Sequence, residues 1–242
     1  MKKGYIIVLG LILIVIFFSA VFFSFFAGED TEIDHMKSNG TLLPEPLKES
    51  DFSVEEALSS RRSIRHYSGR ALTLAEISQI LWAAQGITGI GGLRTAPSAG
   101  ALYPLEIYLV AGDVSGLSPG VYHYIPTDHS LELHIHGDIR RELCSSALDQ
   151  QAVRDAPAVI VIAAQPSRTT QKYGERGTRY VWLEAGHASQ NICLQAVSLG
   201  LGTVPIGAFS DEKIIKLLEL EEGQNPLYLM PIGGVLLIEG SL

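Results

Sequence analysis

Residues 158–162, Ala-Val-Ile-Val-Ile, constrain the fold more than any other segment of this chain. Five apolar residues without alternation do not suit a strand with one wet face, so both faces must be covered. The run is expected in the interior of a sheet. Leu105–Ala111 reads as a second strand, buried on at least one face, and Val121–Tyr124 and Leu131–His134 read as two strands around a turn at Pro126-Thr127-Asp128. Later strands are expected over 203–206 and 227–238.

Helices are marked by their ends. Ser53-Val54-Glu55-Glu56 and Thr73-Leu74-Ala75-Glu76 both have the spacing in which a hydroxyl and a glutamate satisfy each other's exposed backbone donors. After the second, Leu74, Ile77, Leu81 and Ala84 recur at helical spacing up to Gly86. Gly86–Gly100 is a glycine-rich loop, and further helices are expected over 138–150, 178–199 and 210–220. Helices and strands mix without strict alternation and without an internal repeat, which indicates an α+β fold.

With 47% hydrophobic and 18% charged residues, the chain can bury a sizeable core. Its net charge of −8 excludes a general nucleic-acid binder, whose affinity rests on neutralising phosphates. The two cysteines, Cys144 and Cys193, lie in apolar helical stretches and read as small buried hydrophobes; one disulfide is the alternative in an oxidising compartment.

Lys2 and Lys3 precede an uncharged run from Gly4 to Ala27, long enough as a helix to cross a hydrocarbon core of about 30 Å. The expectation is a single-pass signal anchor over residues 1–28, with a cleaved signal peptide as the alternative. Basic residues stay on the cytoplasmic side, while Glu29, Asp30, Glu32 and Asp34 follow the run, so the domain is expected outside the cytoplasm. Residues 29–50 read as a polar linker and 51–242 as the globular domain.

Three segments suggest a ligand site. Arg61, Arg62, Ser63 and Arg65 concentrate three guanidiniums, whose forks match phosphate oxygens; a solvated helix end explains them equally well. Pro97-Ser98-Ala99-Gly100-Ala101, continuing Leu102-Tyr103-Pro104, is small enough for its backbone to approach a flat ligand, though many turns share that composition. Pro205-Ile206-Gly207 joins a strand to a helix, where free backbone N–H groups face an electron-rich edge; an ordinary tight connection is the alternative.

In this order, over residues 51–238, the three segments resemble the landmarks of the nitroreductase superfamily. The likeness is strongest to its SagB-type branch, related to thiazoline and oxazoline dehydrogenases. That resemblance implies a central, mainly antiparallel sheet flanked by helices, an FMN cofactor and a homodimer with the flavin at the subunit interface. It implies that Arg61, Arg62, Ser63 and Arg65 hold the FMN phosphate and ring edge. Pro97, Ser98, Ala99, Gly100 and Ala101 would line the flavin, and Pro205, Ile206 and Gly207 would face its reactive ring. Family members often add a late basic residue. Here Val235–Leu242 contains no Lys or Arg, so the N-terminal arginines are expected to carry more of the phosphate binding.

Lys172-Tyr173 resembles the pair that removes protons in azoline dehydrogenases, and burial would lower the lysine towards a useful base. Two loop residues without a catalytic role are the alternative. Glu184 and His187, one helical turn apart, could share a hydrogen bond. His134 and His136 share a strand face among four clustered histidines, but no carboxylate or cysteine completes a set, so no metal is expected. The functional expectation is an FMN-dependent oxidoreductase that dehydrogenates a heterocycle in a peptide. The alternatives are NAD(P)H-driven reduction of nitro compounds or quinones, and a non-catalytic flavin-binding protein displayed on the membrane.

Overall fold

In the computed structural model, which describes residues 40–236, the segment 158–162 sits inside the strand Ala158–Ala164, and all seven of that strand's residues are buried. In chain order the strands are β1 (Thr41–Leu42), β2 (Leu72–Thr73), β3 (Ile87–Gly89), β4 (Leu93–Arg94), β5 (Leu105–Ala111), β6 (Val114–Ser115), β7 (Gly120–Ile125), β8 (Ser130–His136), β9 (Ala158–Ala164), β10 (Leu201–Thr203) and β11 (Asn225–Gly234). The helices are α1 (Val54–Ser60), α2 (Leu74–Gln85), α3 (Arg140–Ser146), α4 (Gln151–Asp155), α5 (Ser167–Tyr173), α6 (Arg176–Ser198) and α7 (Asp211–Leu217). The main sheet has the order β1-β8-β7-β5-β9-β11-β10, and every neighbouring pair is antiparallel.

Strand parity divides the core in two. Ile107, Leu109, Ile160, Ile162 and Met230 pack on one face with Ile77, Ile80 and Leu81 of α2 and Val181, Ala185 and Ile192 of α6. Tyr108, Val110, Val159, Val161 and Leu229 pack on the other with Leu143 of α3, Val153 of α4 and Ile214 of α7. Each fully buried Ile or Leu contributes roughly 1.5–3 kcal/mol. A one-residue slip of β9 would exchange the two sets, so register is tightly specified.

Both capping boxes form: Ser53 with Glu56 opens α1, and Thr73 with Glu76 opens α2. The expected helix over 138–150 is instead broken into α3 and α4, because Leu148 and Asp149 adopt left-handed φ values of 56° and 57°. Part of the segment read as a linker also belongs to the domain. Thr41–Leu42 pairs with β8, Leu43 is buried, and the Leu47 N–H donates to Gln79 Oε1 at 2.8 Å. The domain therefore starts before Asp51. Cys144 and Cys193 are both buried and unpaired, as small hydrophobes; burial pushes the Cys193 thiol up to about 11. The anchor expected over 1–28 lies outside the described residues. Among those described, no helix is long and apolar enough to cross a membrane.

Candidate functional site

After α1 the chain runs beside β10. The Ile64 N–H donates to Thr203 O at 3.0 Å, and Ser63 forms a parallel bridge with Thr203. Gly202 permits the approach, since a Cβ there would fall 2.5 Å from Ile64 Cγ2. This backbone pairing sets Arg61 half-buried and Arg62, Ser63 and Arg65 exposed. Among the described residues no carboxylate lies within 4.0 Å of the three guanidiniums. Arg62 Nη1 donates to the carbonyls of Ser59 and Arg61 at 3.0 and 2.8 Å. Three positive groups without a counter-charge suit an anion.

β10 leads directly into Pro205-Ile206-Gly207. Ile206 is buried and exchanges two backbone hydrogen bonds with Leu229, each 2.9 Å, while Gly207 is exposed. A Cβ on Gly207 would meet only Tyr228, at 3.9 Å, so open space lies over it. The first and third motif segments are thus brought together along one sheet edge.

The second segment forms a separate cluster. Ala99–Ala101 makes a single 3-10 turn in which Gly100 and Ala101 have φ of 65° and 53°, and Tyr103 follows at 46°. Ser98 Oγ accepts the Tyr103 N–H at 2.9 Å. Lys172 and Tyr173, at the end of α5, press on this turn: a Cβ on Gly100 would lie 2.7 Å from Tyr173 Oη and 3.0 Å from Lys172 Nζ. The pair occupies the last turn of a helix, not a loop. Lys172 is exposed rather than buried, because α5 ends at the surface where Gly174 turns left-handed at φ 58°. Tyr173 is half-buried and meets Tyr180 edge to face at 5.3 Å.

The helix α6 runs past both clusters. Ser98 and Arg94 act on the Glu184 carboxyl, and the Arg61 charge acts on Cys193 nine residues on, a span of about 14 Å along the axis. Glu184 is 2% exposed, and burial pushes its carboxyl up to about 7 against the opposing effects of Ser98 and Arg94. His187 is exposed and makes no hydrogen bond with Glu184, contrary to the pairing suggested by helical spacing.

Polar residues that carried no sequence signal complete this region. Arg94 stacks over the Tyr103 ring at 4.4 Å and donates to Gln85 Oε1 at 2.8 Å. Arg168 Nη1 donates to Tyr103 O at 3.1 Å and also pairs with Glu106, which bonds His123 at 2.7 Å and is held below the usual carboxylate range by these partners. His129, in the turn before β8, bonds Ser78 and Tyr124, and His134 bonds Leu218 O, while His136 is exposed and makes no hydrogen bond among the described residues. Among the described residues, no group of three or more His, Cys, Asp or Glu side chains is placed to hold a metal.

At the end of β11 Gly234 lies against Arg70, where a Cβ would be 2.9 Å from Nε. Arg70 is committed to Glu76 at 2.6 Å and does not stand in for a free late basic residue. A cavity of about 730 Å³ between Phe52, Trp82 and Gln195 is lined by none of the three motif segments. Near it, Phe52, Val54 and Leu58 are exposed, as are Trp182 and Leu183 on α6.

Comparison with known proteins agrees with this geometry. The model of the Nitroreductase family matches residues 58–234. A Methanocaldococcus jannaschii protein with a provisional nitroreductase name is 49% identical over 76% of this chain and 91% of its own length. The Escherichia coli microcin B17-processing protein McbC is 28% identical over 53% of this chain, a match spanning 49% of that relative. The crystal structure of a Ralstonia eutropha protein, also provisionally named a nitroreductase, superposes with a TM-score of 0.71 at 27% identity, covering 82% of this chain and 90% of that one.

Proposed function

The chain belongs to the nitroreductase family, and from that premise we propose that it is an FMN-dependent oxidoreductase of the SagB type that dehydrogenates a heterocycle in a peptide. The observation that carries the reading is the convergence of Tyr173 Oη and Lys172 Nζ on Gly100 in the small-residue turn. The likeness to a microcin-processing protein supports a peptide substrate.

The residues present fit FMN. Three guanidiniums without a carboxylate partner among the described residues suit its phosphate, with Ser63 as a neutral donor beside them. Gly207 leaves room over the strand end for a flat ring. Bound there, FMN would supply two-electron chemistry, accepting a hydride from one substrate and returning it to another. The chain's own part is to orient the substrate and manage the proton. Oxidation of an azoline releases one proton besides the hydride. Lys172 Nζ, in its unprotonated form, accepts that proton, and Tyr173 Oη on the same turn fixes the approach of the ring.

Within one chain the turn and the arginine edge lie at different points along α6. A homodimer would let the turn of one subunit complete the edge of its partner, and the exposed Trp182 and Leu183 supply apolar surface for that contact. By the same reading, the Gly4–Ala27 run anchors the domain outside the cytoplasm, which protease accessibility on intact cells would test.

NAD(P)H-driven reduction of nitro compounds is the second reading, favoured by the 49% identity to a relative with a nitroreductase name. Anaerobic mixing of the flavin-loaded full chain separates the two. Bleaching by an azoline peptide supports the dehydrogenase, and bleaching by NAD(P)H alone supports the reductase. Flavin that neither reduces leaves a binding protein, and a chain that takes up no FMN overturns the proposal.

A further inference from the structure

Away from the arginine edge, a smaller cavity of about 160 Å³ lies between Gln85, Arg94, Glu106, His123 and Arg168. Two of these side chains carry buried donors without an acceptor. Gln85, at the end of α2, is fully buried, and its Nε2 has no hydrogen-bond partner among the described residues. The buried Nε of Arg94 has none either. The Gln85 amide cannot be turned over to remedy this, because its Oε1 accepts from Arg94 Nη1 at 2.8 Å. The reverse orientation would set two donors against each other, so Nε2 stays a donor. Buried donors left unpaired are costly, and a fold keeps them where an acceptor comes to meet them.

Charge narrows what that acceptor is. Two arginines line the cavity against one carboxylate, Glu106, which is already committed to Arg168 and, at 2.7 Å, to His123. Arg94 has no carboxylate within 4.0 Å among the described residues, and its guanidinium stacks on the Tyr103 ring, which does not cancel its charge. Leu105, Ile107, Ile125 and Pro126 supply apolar wall. The matching occupant accepts two hydrogen bonds, bears a negative charge and tolerates apolar neighbours. A carboxylate on a short carbon chain meets all three conditions.

We propose that this cavity is a subsite for a small carboxylate, received by Gln85 Nε2 and Arg94 Nε. A free organic acid and an acidic side chain of a peptide present the same group. Arg94 and Arg168 also hold Tyr103, through its ring and its carbonyl, so occupancy bears on the turn that Tyr103 ends.

Acetate is the probe. Titrated into the isotope-labelled full chain at constant ionic strength, it should shift the NMR signals of the Gln85 side-chain amide and the Arg94 Nε–H, saturating in the millimolar range. Acetamide, of similar size but uncharged, should bind roughly tenfold more weakly or worse, and Arg94→Met should weaken acetate by a similar factor. A tripeptide with a central glutamate identifies the source. Shifts at or below the acetate concentration assign a peptide side chain, and shifts that need acetate itself assign a free acid. Signals that acetate leaves unmoved, or that acetate and acetamide move equally, mean that the cavity takes water only and overturn the proposal. The contrast between acetate and acetamide in the wild type decides the matter even if Arg94→Met does not fold. Neither flavin nor turnover enters the measurement, so failure here is distinct from failure of the proposed function.

Discussion

Arg61–Arg65 is tied to the fold by its backbone, through the bridge to Thr203, and its guanidiniums have no carboxylate partner among the described residues. Pro97–Pro104 is the reverse, a half-buried turn with left-handed residues held by the Ser98 hydroxyl and by side chains from β4 and α5. The first region keeps its charge available and its shape cheap. The second spends interactions on shape alone. A phosphate is recognised by charge and tolerates adjustable side chains, whereas a reacting group must be held within fractions of an ångström. The two regions therefore differ in what they can lose.

The sharpest way to break the contrast is Lys172→Ala, which should lower turnover of an azoline substrate by roughly a hundredfold to ten-thousandfold while flavin content is unchanged. Loss of flavin from that variant, measured by absorbance per chain, would merge the two regions into one. Arg61→Ala should do the opposite. Losing a charge-assisted phosphate contact weakens FMN binding roughly tenfold to a hundredfold, read by titration of the flavin-free protein, with the melting temperature of that protein nearly unmoved.

A third outcome concerns stability. The folded chain keeps a proton on Glu184 up to about pH 7, whereas the unfolded chain releases it near 4.5. Because the folded state binds the extra proton between those values, stability falls as pH rises from 4.5 to 7 and stays lowered above. Glu184→Gln should thus be more stable than the wild type at pH 8, by on the order of 3 kcal/mol, and nearly equal to it at pH 4.5. Urea melts at the two pH values check this, and an equal gap at both would assign the effect to packing instead. The smallest effect is expected from Gly100→Ala. The methyl group would enter the space of Tyr173 Oη at a φ of 65°, costing about 1–2 kcal/mol and slowing turnover about tenfold, with FMN affinity retained.

The contrast also explains what could be read in the sequence. The arginine cluster, the small-residue turn and the Pro205–Gly207 junction are local patterns, as are the capping boxes at Ser53 and Thr73, and all are visible in a few residues. The unbroken run in β9 likewise announced a strand covered on both faces. What holds the turn is not local. Arg168 reaches the Tyr103 carbonyl from a position 65 residues on, and helical spacing pointed Glu184 at His187, with which it makes no hydrogen bond. Arg94 looked like one polar residue in a glycine-rich loop, because nothing nearby in the chain reveals that it stacks on Tyr103. The break between α3 and α4 was also hidden, since Leu148 and Asp149 turn left-handed without a Gly or Pro to mark them. Lys172 is exposed where the proton-transfer reading relied on burial, because burial depends on neighbours that no local pattern names.

The short strand β1 has a practical consequence for handling the protein. Thr41 and Leu42 cover the outer edge of β8, and Leu43 fills a core position behind them. A clone begun at Asp51 would strip that cover and leave a row of unpaired amides beside a vacated apolar pocket. Such an edge invites pairing with another molecule, so a chain cut there should aggregate on expression, whereas one begun before Thr41 keeps its margin sealed.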